Sequence, residues 1–206
     1  MREYKYACFW QKGESEPLNP YTIAAESVMT AAGPAFLGLV CDSSEAAERM
    51  VGWFYKDVLP ILRERGLGVL VKNGFLRHFS GQNRPYSYGV VIVFKRRVFF
   101  ASRGKFAFVR LSKGSCSICG WTPEQKNGVP ETSCSFTHIR KNDSVLITNS
   151  GFSACFEPAE FSAAFAYAET LTETEEVLSS LGRRANSRGL KKSKAVLYFG
   201  PERAKE

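Results

Sequence analysis

The chain has 206 residues, 44% of them hydrophobic and 23% charged, with a mean hydropathy of -0.19, a balance that supports a hydrophobic core and argues against intrinsic disorder. Its long apolar runs, such as 35–41 and 90–94, fall well short of the ~20 residues that a membrane-spanning helix needs. With 28 Lys and Arg against 20 Asp and Glu the formal charge is +8, which favours an acidic partner in general and identifies none.

The opening residues Met1 to Tyr6 lack the apolar core and small-residue cleavage site of a secretory signal, which predicts a cytoplasmic protein whose six cysteines are thiols or ligands. The first strong element is the apolar run Ala35 to Cys41, read as a buried strand ending at Asp42. A helix follows, with Ala47, Met50, Val51, Phe54, Val58 and Ile61 at helical spacing. Asp42 or the pair Ser43 and Ser44 can cap its start, and Pro60 should kink or shorten it. Beyond a weakly helical, Gly-rich stretch from 66 to 81, strands are expected at Tyr88 to Phe94, Val98 to Ser102 and Phe106 to Leu111, with Lys95, Arg96 and Arg97 at the first turn. Two more, Cys134 to Ile139 and Ser144 to Thr148, are joined by the polar turn 140–143.

Pro158 then suits the first turn of a helix carrying Phe161, Ala164, Phe165 and Ala168, and Thr172-x-x-Glu175 reads as a capping box before Val177, Leu178, Leu181 and Ala185. The acids of 157–182 give way abruptly to the bases of 183–194, a reversal that partly suits helix dipoles. Ala195 to Phe199 is a last strand. Helix pairs between blocks of strands predict an α+β fold, because a doubly wound parallel sheet would alternate one strand with one helix. Residues 1–200 read as one compact domain and 201–206 as a polar tail.

Four segments in this order resemble the metal-dependent protein phosphatases of type 2C, the PPM family. Gly33 to Asp42 is similar to the strand that leads to the family's Asp-Gly metal motif, and 87–114 to its hairpin before a Gly-Asp-Ser-Arg turn. Lys141 to Phe152 resembles the Gly-Asp, apolar strand, Ser-Asp-Gly-Leu sequence, and Leu178 to Phe199 the terminal helix, Asp-Asn-x-Thr motif and closing strand. The resemblance implies a four-layer α-β-β-α sandwich of two mainly antiparallel sheets flanked by helix pairs. It also implies hydrolysis of phosphoserine and phosphothreonine by water bridging two Mg²⁺ or Mn²⁺ ions.

Hard dications roughly 4 Å apart need several carboxylate oxygens, and most of the family's are replaced. Asp42 matches the bridging aspartate, with Ser43 where the family has Gly. Tyr21 stands where the first motif would supply Asp, if Asn19 is that motif's Asn, and Glu16 where the family has a phosphate-gripping Arg. Gly104 and Ser150 replace two further aspartates, and Lys192-Ser193-Lys194-Ala195 stands in place of Asp-Asn-x-Thr. The expectation is that Lys192, with Lys105, Lys191 or Lys194, fills the vacated cation site beside Asp42 as an internal ion pair. The plainer alternative is a solvated lysine loop with Asp42 as a helix cap.

Cys116, Cys119, Cys134 and His138 have the Cys-x₂-Cys…Cys-x₃-His form of a closed structural zinc site. In an extended strand Cys134 and His138 lie about 13 Å apart, so one zinc requires the strand to begin after Cys134 or to bulge. Otherwise these are reduced thiols and a strand histidine.

Three functions are therefore open. The leading one is a catalytically inactive or impaired phosphatase-like protein, needing no cofactor, that binds a phosphoprotein or Ser/Thr kinase and acts in phosphorylation signalling. The second is a divergent Mg²⁺- or Mn²⁺-dependent phosphatase that uses Asp42 with Glu14, Glu16, Asp143 or Glu157. The third, disfavoured because aromatics alternating along strands usually face a core, is a nucleic-acid module built on Lys95-Arg96-Arg97, Arg183-Arg184 and Lys191-Lys192, with or without zinc.

Overall fold

The computed structural model describes residues 4–16, 18, 20–63, 67–79, 86–104, 106–112, 115–121, 132–140 and 142–201, without the side chains of 4, 118–121 and 201. Lys105 and the Cys119 side chain thus lie outside the described residues.

Strands β1 (Tyr4–Gln11), β2 (Thr22–Thr30) and β3 (Gly33–Cys41) precede helix α1 (Ser44–Trp53), which continues through a π turn at Phe54–Val58 and a 3-10 turn at Leu59–Ile61. Ser43 caps α1, its hydroxyl accepting from the Ala46 amide at 3.2 Å. The widening before Pro60 is the expected effect of a residue that has no amide proton and crowds the preceding turn. Helix α2 (Leu67–Phe79) is followed by β4 (Tyr88–Phe94), β5 (Arg97–Arg103), β6 (Phe106–Ser112), β7 (Ser115–Trp121), β8 (Thr132–His138) and β9 (Ser144–Asn149). The short α3 (Ser150–Ser153), α4 (Pro158–Ala164), α5 (Leu171–Ser187) and β10 (Lys194–Pro201) complete the chain. None of the described helices is long and apolar enough to cross a membrane.

Two five-stranded sheets form, ordered β1-β10-β9-β6-β7 and β2-β3-β4-β5-β8, with antiparallel pairing throughout. Alternation along the strands builds three apolar layers. Phe36 and Val40 of β3 and Val91 and Val93 of β4 meet Leu197 and Phe199 of β10 between the sheets. Their neighbours Leu37, Leu39, Val90 and Ile92 face α1 and α2. On the other outer face Val109, Leu146 and Val196 pack under Phe161, Leu178 and Leu181. The α+β sandwich implied by the sequence is the fold observed.

Three local expectations are corrected. The capping box of α5 uses Thr170 and Glu173, not Thr172 and Glu175. Thr170-Leu-Thr-Glu-Thr-Glu contains the Thr-x-x-Glu spacing twice, and the earlier register gains a bond from the Thr174 hydroxyl to the Thr170 carbonyl at 2.8 Å. Residues 115–121, not assigned from the sequence, form β7 on the edge of the first sheet. Strand β8 begins at Thr132, before Cys134, so the late start that a shared Cys134–His138 zinc requires is absent, and its pairing with β5 is regular.

Candidate functional site

Strand ends from both sheets converge at one end of the sandwich. In the second sheet Thr22 pairs with Cys41, which brings Tyr21 and Asp42 to the same level just past β2 and β3. In the first, Gln11 pairs with Lys194 and Val196 with Thr148, so the segment after β1 runs beside residues 191–193, next to Asn149 at the end of β9.

Asn149 is buried and uses both ends of its amide. Its Nδ2 donates to the Ser193 carbonyl at 3.0 Å and its Oδ1 accepts from the Ala195 amide at 3.1 Å. Ser193 in turn ties in the loop that follows β1. The Gly13 amide donates to Ser193 Oγ at 2.9 Å, the Ser193 amide donates to Glu16 Oε2 at 3.0 Å, and the Ser193 hydroxyl donates to the same oxygen. The Glu14 amide adds a bond to the Lys191 carbonyl at 2.9 Å. Gly13 is required by the closeness of this latch: a Cβ there would stand 2.7 Å from Glu16 Oε2 and 2.8 Å from the Lys191 oxygen and the Ser193 nitrogen. The Ser193 hydroxyl, with smaller help from backbone donors and Lys192, holds the Glu16 carboxyl below the usual range.

Asp42 is occupied differently. Its Oδ1 accepts from the Ser87 amide at 2.7 Å, while its own amide donates to the Ser87 carbonyl at 3.1 Å, pinning the segment that enters β4. Burial nevertheless raises its pKa, the Ser87 bonds acting in the other direction. Tyr21 feels the charge of both carboxylates. Burial, Asp42 and Glu16 push its phenol up, and a hydrogen bond with the Asn149 side chain opposes them.

The expected lysines are not equivalent. Lys194 is 2% exposed and its ammonium donates to the Lys192 carbonyl at 3.2 Å. Burial lowers its pKa against the pull of Cys155, Glu14 and Glu16. Lys192 is exposed and acts on Glu16. Lys191 pairs with Glu14 at 3.6 Å, both side chains well exposed. Among the described residues no ion pair reaches Asp42. The buried ammonium of this end is thus Lys194, beside a latch that sequence reasoning missed. Glu16 was visible only as an acid in a place suited to a base, and nothing local pairs it with Ser193.

The other candidate carboxylates are used elsewhere. Asp143 precedes β9 at the far end of the sheet, about 20 Å from Asn149 by strand rise, and binds Arg110 at 2.5 and 2.8 Å and the Arg140 amide at 2.8 Å. Glu157 caps α4. Cys116 packs on the outer face beneath α4 and Cys134 on the opposite outer face beside α2, so both sheets separate them and they cannot share a zinc ion. Among the described residues no three His, Cys, Asp or Glu side chains are grouped to hold a metal.

No protein-family model matches the sequence, and no curated protein is similar to it in sequence. Solved structures are similar in fold. A serine/threonine phosphatase of S. agalactiae superposes with a TM-score of 0.67 at 12% identity, over 96% of this chain and 99% of that one. The catalytic domain of the serine/threonine protein phosphatase PstP, solved with two manganese ions, gives 0.60 at 15% identity, over 97% and 99%. The phosphatase domain of SpoIIE, a cell fate determinant of Bacillus subtilis, gives 0.63 at 10% identity, over 100% and 96%.

Proposed function

We propose that this chain uses the serine/threonine phosphatase fold without two-cation hydrolysis, as a binding or regulatory component of phosphorylation signalling whose partner is a phosphoprotein or a Ser/Thr kinase. The observation that carries this reading is the fate of the carboxylates at the converging strand ends. Two dications need several oxygen anions free to turn toward them. Of the two acids whose charge acts on Tyr21, Glu16 is taken up by Ser193 and Asp42 by Ser87. Lys194 places its buried amine within reach of the charges of Glu14 and Glu16, and an ammonium there opposes binding of a cation. The donor set does not fit a pair of Mg²⁺ or Mn²⁺ ions. A regulatory role also agrees with the likeness to SpoIIE, itself a cell fate determinant.

The test is titration calorimetry with MnCl₂ and MgCl₂ together with hydrolysis of a phosphothreonine peptide. The expected outcome is no saturable heat at millimolar metal and no Mn²⁺-dependent turnover, with Asp42→Ala indistinguishable from the parent. Metal-dependent turnover that is lost in Asp42→Ala would overturn the proposal and install the divergent phosphatase in its place.

A further inference from the structure

On the flank of the second sheet, away from the strand-end cluster, an open groove of about 460 Å³ runs between the start of α2 and the edge strand β8. Leu67, Val69 and Phe136 supply its apolar surface, Lys72 and Arg97 its charge, and His138 a further basic group. Among the described residues no carboxylate lines it, and Lys72, Arg97 and His138 form no ion pair with another described residue. Arg97 and His138 stand directly opposite one another across the β5–β8 ladder. Two basic groups in facing positions are unfavourable without an anion between or above them. Gly68 keeps the groove narrow at its floor, since a Cβ there would fall 2.8 Å from the Phe136 ring.

The backbone supplies the second half of the argument. Among the described residues β8 pairs with β5 alone, on the outside of the sheet. Its sequence Thr-Ser-Cys-Ser-Phe-Thr-His has no proline and no lysine, and its register with β5 is free of bulges. These are the devices that ordinarily protect an edge. Among the described residues the outward-facing amide and carbonyl groups of β8 therefore lie open beside an apolar, basic trough.

We propose that β8 and the α2 groove form a docking site for an extended acidic peptide segment of a partner protein, which adds a strand to the second sheet. Main-chain hydrogen bonds to β8 provide the pairing. Alternate side chains of the added strand fall on the α2 face, where an apolar residue meets Phe136 and acidic residues meet Lys72, Arg97 and His138. The edge favours a peptide over a nucleic acid, because a phosphodiester backbone has no alternating amide and carbonyl groups to continue the ladder. The site is independent of whether the strand-end cluster hydrolyses anything.

The probe is a fluorescein-labelled decapeptide of alternating glutamate and valine, followed by fluorescence anisotropy at low salt and by backbone amide NMR. Saturable binding is expected, with chemical-shift changes confined to β8 and the first turns of α2. Arg97→Ser combined with His138→Ser should weaken it at least tenfold, about 1.4 kcal/mol, while leaving the thermal melt unchanged. The same peptide with lysine for glutamate, or with N-methylated backbone amides, should not bind. Absence of binding, equal binding by the lysine or N-methylated peptide, no loss in the double variant, or equal occupation of the groove by a single-stranded oligonucleotide would each overturn the proposal. Because the readout is binding at β8, its failure is distinguishable from metal-dependent turnover at Asp42.

Discussion

Two parts of the molecule gather charged side chains, and they treat them in opposite ways. At the converging strand ends charge is internalised: Glu16 is held by Ser193, Asp42 by Ser87, and the buried Lys194 rests on a carbonyl. In the β8 groove Lys72, Arg97 and His138 line an opening with no acid among the described residues. Charges engaged inside the chain contribute to holding loops, whereas charges gathered on one side of an open groove without counter-ions are available to something else. The strand-end cluster thus ties its charged groups into loops, and the groove leaves its basic groups on an open side.

That contrast can be broken by substitution. The largest effect is expected from Asn149→Ala, which strips partners from the Ser193 carbonyl and the Ala195 amide in a buried setting. Chemical denaturation should record a loss of about 3 kcal/mol. Gly13→Ala comes next, because its Cβ would meet backbone atoms of Lys191 and Ser193 that have little room to retreat. A loss of about 1–3 kcal/mol is expected for overpacking of this kind. If either variant melts like the parent, the latch is not structural.

A smaller, pH-dependent effect is expected where α4 meets α5. Arg188, with Arg184, holds the Glu160 carboxyl down to about 2 from 4.5. A folded-state pKa below the unfolded one gives stability that is present above the ordinary glutamate range and is lost as pH falls toward the folded value. Glu160→Gln should therefore flatten the stability profile between about pH 4.5 and 2, with the difference from the parent vanishing at the acid end. The smallest effect is at the groove: Arg97→Ser alone should move stability by no more than about 0.5 kcal/mol while weakening capture of the acidic peptide. A large loss of stability there would mean that Arg97 has a structural partner, and the contrast between the two regions would fail.

Much of the architecture was legible in the residues. The apolar runs that became β3, β4 and β9 and the Pro158 helix start announce themselves by periodicity or by one local cap. The second Thr-x-x-Glu register of α5 was equally visible, and only the packed helix selects between the two. The site was less legible. Asp42 could be placed at the end of an apolar strand and Tyr21 only by likeness to a family motif, while the partner of Glu16 is 177 positions away, and a glutamate beside a loop looks the same whether it faces solvent or a serine. The cysteines illustrate the reverse error: a spacing suited to zinc lies in strands whose side chains face opposite sides of the sandwich.

By itself the sequence determined the alternation of strand blocks and helix pairs and the excess of basic charge. Those are properties of local pattern and composition, which survive any arrangement of the elements. Only the tertiary structure decided that Lys194 rather than Lys192 is buried, that Ser193 and Gly13 clasp Glu16, and that Lys72 comes beside Arg97 and His138. Each depends on which strand ends and faces meet after the sheets stack, and contacts between groups far apart in the chain leave no periodic trace in the residues that make them.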